Sequence, residues 1–519
     1  MIAKEQKIQV MGFNCSLADL PVVDGSEVRK SNTVTEWDVV PGVYTHTIDP
    51  ETGKAAAVEI TKVSKHSGLT MYDCKVSVSG AYSNVITASE DHSLITYNPT
   101  TMQLEKTKPQ DAKGRCAPRV RYDDINKPGM CYEYMDIAGQ RPMSYKLGMF
   151  LGIMLGDGWV DSNNATKIAC CDESLQKYIT EELCTEGALL GMHKTARLHE
   201  YDPDPDRFSQ NKRGVISVYL KSNVAEALGD VIGKGAENKR IPPFSLVGSR
   251  AHMIGILMGM LATDGSVNYS VGNTARKAAT KTIAIHTISP MLRDGIQTLC
   301  RKLGIRTHAT PYMGANSKST CYAVTLSLED FAREARKDKV HYRIPLTAKQ
   351  ESMERIIADV SAPAKGSNSY TIVPFPRGLF CEFSYAKVVE IARDPIVSGR
   401  AKGFIRRDVA LRIADKLETA DWKHYADPTN LKKEDRTGRT PAQAKAAVDA
   451  WIALVRDENT DWAVVEDVTP STCTEGWDCT VPGPYTFALS DGTVVQDTVN
   501  IHAPVSRGAV RDIKDKMMP

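Results

Sequence analysis

Asp157 and Asp264 close two apolar runs of nearly the same make-up: Leu147-Gly-Met-Phe-Leu-Gly-Ile-Met-Leu-Gly-Asp-Gly158 and Ile254-Gly-Ile-Leu-Met-Gly-Met-Leu-Ala-Thr-Asp-Gly265. Two carboxylates brought side by side repel unless a cation lies between them. The fitting occupant is a hard divalent ion such as Mg²⁺, which takes oxygen ligands. The chemistry these residue types point to is therefore metal-assisted, with Asp157 and Asp264 as the metal ligands. What must position them is a pair of helices. Gly148, Gly152 and Gly156 recur every four residues, as do Gly255 and Gly259, so each helix carries a smooth stripe. Stripes of this kind let two helix backbones approach closely. Packed in parallel, the helices deliver both carboxylates to one end. The glycine after each aspartate suits a helix C-terminus. Neither run reaches the ~20 residues a membrane span needs.

Each run is followed by a stretch with strand character, a helix, and a short element ending in Ile-Pro: Lys239-Arg240-Ile241-Pro242 and Tyr342-Arg343-Ile344-Pro345. That is an internal repeat, 145–244 and 250–345, within a segment of 126–350. The doubled motif resembles the signature of the LAGLIDADG homing endonucleases. The resemblance implies an α/β two-repeat fold and hydrolysis of both strands of double-stranded DNA, with Mg²⁺ held by Asp157 and Asp264. It places Lys239 near the scissile phosphate, where a cation steadies developing charge. In the second repeat that slot holds Tyr342, with Arg343 and Lys339 beside it. Non-identical repeats imply a long, asymmetric target. Lys221, Arg276 and Lys281, together with Lys167, Lys194, Arg197, Lys212, Arg213, Lys277 and Arg306, are either phosphate contacts or solvated strand-face charges.

The flanks of this segment read differently. Residues 15–125 carry short alternating strands and frequent turns, and the same pattern returns in Trp462–Val468, Gly476–Gly483 and a hairpin around Asp491-Gly492. Ser89-Glu-Asp-His92-Ser-Leu resembles the internal T-x-x-H block of inteins, with serine for threonine, and Asp478 matches the acidic position of a closing block. The resemblance implies an all-β, horseshoe-like Hint splicing domain split into 15–125 and 460–497, interrupted by the nuclease. Cys15 would be the first intein residue and nucleophile, His92 the proton donor to the scissile nitrogen, Asp497 the last residue, and Thr498 the acceptor of the acyl group. A peptide becomes a thioester only if its nitrogen is protonated and the thiol is in place. Ser26 is a second candidate for the first residue, ranked lower because Asp24-Gly25-Ser26 reads as a turn. Two positions depart from the family: Gln496 stands where histidine is usual, and Asp497 where asparagine attacks its own carbonyl. Splicing would need no cofactor, and slow release at the downstream junction is expected. Residues 1–14 and 498–519 then read as extein remnants, and Thr498-Val-Asn-Ile-His-Ala-Pro-Val-Ser506 resembles a segment of the RNA polymerase large subunit.

At 519 residues the chain has room for about three domains. Its formal net charge of +2 means that any nucleic-acid surface is local. Twelve cysteines without a C-x-x-C pair, and no secretory signal, give the expectation of a cytoplasmic, reduced, membrane-free monomer. Residues 351–459 are helical in pattern and charged, and read as linker or accessory helices. Two rival readings remain: a nuclease with inert β parts, and a splicing element with a decayed nuclease.

Overall fold

The computed structural model describes residues 2–496, except 4–6, 11–12, 49–54, 79–81, 121–133, 171, 186–188, 191–195, 202–212, 243–244, 247, 271–279, 314–318, 361–371, 377–402, 420–439, 458–459, 484 and 490–491. Three units are packed together.

The first is all-β. Its early strands are β1 (Ile2–Ala3), β2 (Lys7–Val10), β3 (Phe13–Ser16), β4 (Val28–Ser31), β5 (Val34–Asp38), β6 (Tyr44–Ile48) and β7 (Ala55–Glu59). These are followed by β8 (Lys62–Ser67), β9 (Met71–Val78), β10 (Tyr82–Ser89), β11 (Leu94–Asn98), β12 (Gln103–Thr107) and β13 (Cys116–Val120). A 13-stranded antiparallel sheet runs β28-β29-β11-β13-β26-β9-β10-β1-β27-β8-β5-β4, with β12 on β11. Its last four strands in sequence are β26 (Thr460–Pro470), β27 (Glu475–Thr480), β28 (Thr486–Ala488) and β29 (Val494–Gln496). A smaller sheet runs β3-β2-β6-β7.

The two halves of the sequence thus share one sheet. Ile2 pairs with Ala88 on one side and Trp477 on the other. Part of residues 1–14, the segment that the sequence suggested as an extein remnant, is thus built into the same sheet. Between β10 and β27 the ladder groups of both strands need partners, and the Ile2–Ala3 backbone supplies them. Ser26 serves the opening turn, as its neighbours suggested: Gly25 has φ +74° and Ser26 Oγ accepts from Asp38 N at 3.1 Å.

The second unit opens with a hairpin, β14 (Tyr134–Asp136) and β15 (Gln140–Pro142), and then repeats itself. Repeat one is α1 (Tyr145–Leu155), β16 (Gly158–Val160), β17 (Thr166–Cys170), α2 (Glu173–Lys177), β18 (Arg197–Tyr201), β19 (Arg213–Val218) and α3 (Ser222–Ile232). Repeat two is α4 (Arg250–Ala262), β20 (Gly265–Ser270), β21 (Thr280–Thr287), α5 (Pro290–Lys302), β22 (Thr307–Tyr312), β23 (Cys321–Leu326) and α6 (Leu328–Lys337). Their sheets have the same order, β16-β17-β19-β18 and β20-β21-β23-β22. Helix α7 (Thr347–Asp359) packs on β20 and extends this unit past the boundary expected at 350.

The third unit lies in the stretch expected to hold linker or accessory helices, and it adds two strands to them. Strands β24 (Ile372–Pro374) and β25 (Phe404–Arg406) pair, and helices α8 (Arg407–Glu418) and α9 (Pro441–Arg456) lie beside them. Trp451 and Val373 share a core with Tyr97, Cys116 and Trp462 of the β module. Among the described residues no helix is long and apolar enough to cross a membrane.

Candidate nuclease and splicing sites

Helices α1 and α4 start together. Ser144 Oγ accepts from Leu147 N at 3.2 Å and Ser249 Oγ from His252 N at 3.1 Å, which caps both N-termini. Ser249 Oγ also donates to Met143 O at 2.8 Å, and His252 Nδ1 donates to Ser144 O at 3.1 Å. The two starts are tied, so the helices run in parallel. The glycine stripes then meet: a Cβ at Gly255 would lie 2.8 Å from Met149 N, and one at Gly259 2.8 Å from Ile153 N. Neither position admits a side chain without separating the helices.

Asp157 and Asp264 follow the two helix ends. The glycines after them have a different reason from the one expected. Neither adopts positive φ. Instead each begins a strand pressed on its own helix, where a Cβ would lie 2.5 Å from Met154 Cα or from Leu261 Cα. Burial and the Asp264 charge push the Asp157 carboxyl up to about 6, and burial raises Asp264 as well. Lys239 and Lys349 oppose both shifts.

These two lysines are placed alike. Lys239 Nζ donates to Gly156 O at the end of α1. Lys349 Nζ donates to Leu261 O at 2.9 Å, Ala262 O at 3.1 Å and Thr263 O at 3.0 Å at the end of α4. Burial lowers the pKa of both ammonium groups, and the two aspartates counter this. Lys349 thus stands at the end of α4 as Lys239 stands at the end of α1, the place for which the sequence offered Tyr342, Arg343 and Lys339. Tyr342 is buried against Phe331, while Arg343 and Lys339 are exposed and are not among the charges acting on either aspartate. No spacing rule finds Lys349, because it arrives on α7 and not before an Ile-Pro pair.

The basic strand residues divide. Arg306 is locked to Asp330 at 2.5 Å, Lys167 to Asp161 at 3.1 Å and Lys281 to Asp359 at 3.0 Å, so all three have anionic partners within the protein. Lys221 and Arg197 are exposed. Lys194, Lys212, Arg276 and Lys277 lie outside the described residues, as does the Arg213 side chain. The outer faces of the two sheets also differ beside the aspartates. In repeat one Ala169 N donates to Asp157 O at 2.9 Å; in repeat two His286 N donates to Asp264 O at 3.4 Å. The first place holds Ala169 near the exposed Trp159. The second holds a polar cluster, His286 with Tyr312 OH at 3.1 Å and Ser266 Oγ at 3.3 Å.

In the β module, Ser89 ends β10 and is buried, and His92 N donates to Ser89 O at 2.9 Å. The His92 ring lies against Phe487 at 6.2 Å, and burial holds its pKa well below the usual histidine range. Gln496 N donates to Ser93 O at 2.9 Å, so the end of the closing strand reaches the residue after His92. Asp478 is buried opposite Ser64, with its Oδ1 accepting from Cys479 N at 3.0 Å. His66, which sequence reading passed over, meets Ser64 Oγ at 2.9 Å and is pushed down to about 4 by burial. The Cys15 backbone pairs with Ile8 in the smaller sheet; the strand lying beside β10 is Ile2–Ala3. Asp497 and Thr498 lie outside the described residues. Burial pushes the Cys74, Cys116 and Cys184 thiols up to about 12, as befits inert core residues.

One family model matches the second repeat, and several known proteins resemble parts of the chain. The profile of the LAGLIDADG-like domain family matches residues 251–337. The replicative DNA helicase DnaB of Synechocystis sp. is 23% identical over 382 residues, covering 71% of this chain and 38% of that protein. The ATP-dependent DNA helicase Hel308 of Thermococcus kodakarensis is 28% identical over 166 residues, covering 31% of this chain and 13% of that protein. The chain thus spans well under half the length of these relatives. Among solved structures, variants of the homing endonuclease I-DmoI align with 39% of this chain and 99% of theirs, at 14% identity and a TM-score of 0.25. The PabCDC21-1 intein aligns with 23% of this chain and 71% of its own, at 12% identity and a TM-score of 0.20. The LAGLIDADG-like domain at 251–337 carries Asp264, and the repeat built around Asp157 has the same order of elements.

Proposed function

We propose that this chain is a self-splicing intein precursor whose inserted LAGLIDADG endonuclease cuts double-stranded DNA at a long asymmetric site. The observation that carries the nuclease half is the close packing of α1 on α4 with Asp157 and Asp264 at the shared end, each disfavouring ionisation until a cation arrives. Among the described residues no group of three or more His, Cys, Asp or Glu could hold a metal. Two carboxylates suit Mg²⁺, which keeps several waters and takes phosphate oxygens as further ligands. When bound there, the ion supplies an activated water and neutralises charge on the leaving oxygen. Lys239 and Lys349 hold positive charge at the two helix ends, where negative charge develops on the phosphates. Lys221, Arg197 and Arg343, all exposed, would contact the DNA backbone.

In the splicing half, the Cys15 thiol attacks the carbonyl of Asn14 while His92 gives a proton to the departing nitrogen. The Thr498 hydroxyl then takes the acyl group, and Asp497 releases the downstream flank. Support comes from the meeting of the closing strand with Ser93, directly after His92. His92, kept neutral by burial, must gain its proton within the reaction. Gln496 is no acid near neutral pH, and the Asp497 carboxylate is a weaker attacker than asparagine, so downstream release is slow. The flanks would belong to a host resembling an RNA polymerase large subunit.

Two experiments test this reading. Expressed chain is followed by intact mass, alongside Cys15→Ala and His92→Ala; unchanged processing in both variants leaves the β module an inert scaffold. Separately, Mg²⁺ is added to the chain and a duplex that joins the codons of residues 1–14 to those of 498–519, with Asp157→Asn as control. Failure of the parent to cut that duplex marks the nuclease as decayed.

A further inference from the structure

The closing hairpin of the β module rests on more than its own sheet. β28 pairs with β29, and β29 lies on β11. At the turn, Val120 N donates to Gly492 O at 2.8 Å and Arg119 bridges Thr493, tying the turn to β13. Along its flank, Thr486 Oγ1 donates to Ile48 O at 3.1 Å and meets Thr47 Oγ1 at 2.5 Å, tying β28 to β6. What lies behind these ties belongs to the nuclease unit. A Cβ at Gly492 would be 3.4 Å from Arg301 Nη1, so the guanidinium sits against the hairpin turn. His46 follows Thr45 and precedes Thr47 on β6, so it faces away from the Thr47–Thr486 contact. It is fully buried and feels the charges of Lys302 first and Arg301 second. Helix α5 also abuts β3, the strand whose backbone carries Cys15.

Lys302 is the last residue of α5 and is 1% exposed. An ammonium is costly to bury, and an apolar side chain of similar length would carry no such cost. Its presence at a joint between units is therefore better explained by placement than by stability. The end of α5 stands against the hairpin turn through Arg301, and the charge of Lys302 reaches His46 on β6, a second support of the hairpin.

We propose that Arg301 and Lys302 are positioning residues for release at the downstream junction. They hold the closing hairpin so that the segment ending at Gln496 stays on Ser93, next to His92. The nuclease unit is then a structural part of the splicing site and not a passenger in it. The proposal rests on the splicing reading given above.

The test uses the full chain with both flanks. Intact mass is followed over time for Arg301→Ala, Lys302→Met and Lys302→Arg, with thiol-induced cleavage ahead of Cys15 as the upstream readout and the thermal midpoint as a measure of folding. A misplacement of about 1 Å can slow a reaction by up to a hundredfold. Downstream release in Arg301→Ala and Lys302→Met is expected to slow by about tenfold or more on that basis, while upstream cleavage keeps the parent rate. Lys302→Arg, which keeps the charge, should recover most of the release. Release at the parent rate in both neutral variants overturns the proposal, as does equal slowing at the two junctions. Should Lys302→Met fail to fold, Arg301→Ala decides, since Arg301 is only half-buried and its truncation leaves the core intact. A parent chain that processes neither junction refutes the splicing reading itself, and the proposal falls with it.

Discussion

Replacing Asp157 by Asn should stabilise the nuclease unit when no metal is present. Asp157 rises from the ordinary aspartate value of 3.8 to about 6, first because it is buried and second because Asp264 lies beside it. A shift of about two units corresponds to about 3 kcal/mol of stability lost at neutral pH. The sign follows from linkage. Below the unfolded value both states hold the proton and nothing is lost. As pH climbs from about 4 to about 6 the unfolded chain ionises first, so the folded state loses ground; above the folded value the loss is complete and constant. Asparagine keeps the shape and removes this term, and it also relieves Asp264. At roughly 2–4 °C per kcal/mol for a unit of this size, the midpoint of nuclease unfolding in chelator at pH 7 should rise by about 6–12 °C. The gain should fade as pH approaches 4. Calorimetry with Mg²⁺ supplies the second half: the parent gains stability from the ion and Asp157→Asn gains little. An Asp157→Asn variant no more stable than the parent in chelator, or one whose advantage persists at low pH, would refute the account of this pair as two carboxylates held together against their charge.

Three further outcomes are expected. Gly259→Val forces α1 and α4 apart, because its Cβ alone already meets Ile153 N at 2.8 Å; a loss of at least about 3 kcal/mol and of Mg²⁺ binding should follow in denaturant titration and calorimetry. Lys349→Met removes the cation at the end of α4, and single-turnover DNA cutting should fall by about 10²–10³-fold while gel-shift affinity changes little. His286→Ala breaks the cluster with Ser266 and Tyr312; cutting of target variants should lose base preference on the repeat-two side alone, by about 1–3 kcal/mol per base pair.

The repeated glycine spacing was legible because a helix that must touch another backbone can carry no side chain at the contact, and that demand is local. Gly255 and Gly259 meet Met149 and Ile153 as the stripes implied. The surroundings of the basic strand residues were not legible in this way. Arg306, Lys167 and Lys281 look free in sequence, yet each has an acidic partner, Asp330, Asp161 and Asp359, that only folding brings near.

Taken alone, the chain's order of residues determined two parallel glycine-faced helices, the two carboxylates at their ends, the doubled α/β unit, and the β character of the flanks. All of these follow from periodicity and from short-range sterics. Tertiary structure decided that Lys349 stands at one helix end as Lys239 does at the other, that Ile2 and Ala3 bridge β10 and β27, and that Val373 and Trp451 share a core with Tyr97 and Trp462. It also decided that the end of α5 stands against the closing hairpin. Each of these joins residues distant in the chain, where what selects a partner is unmet hydrogen bonds, buried charge and shape, and none of those leaves a periodic trace in the sequence.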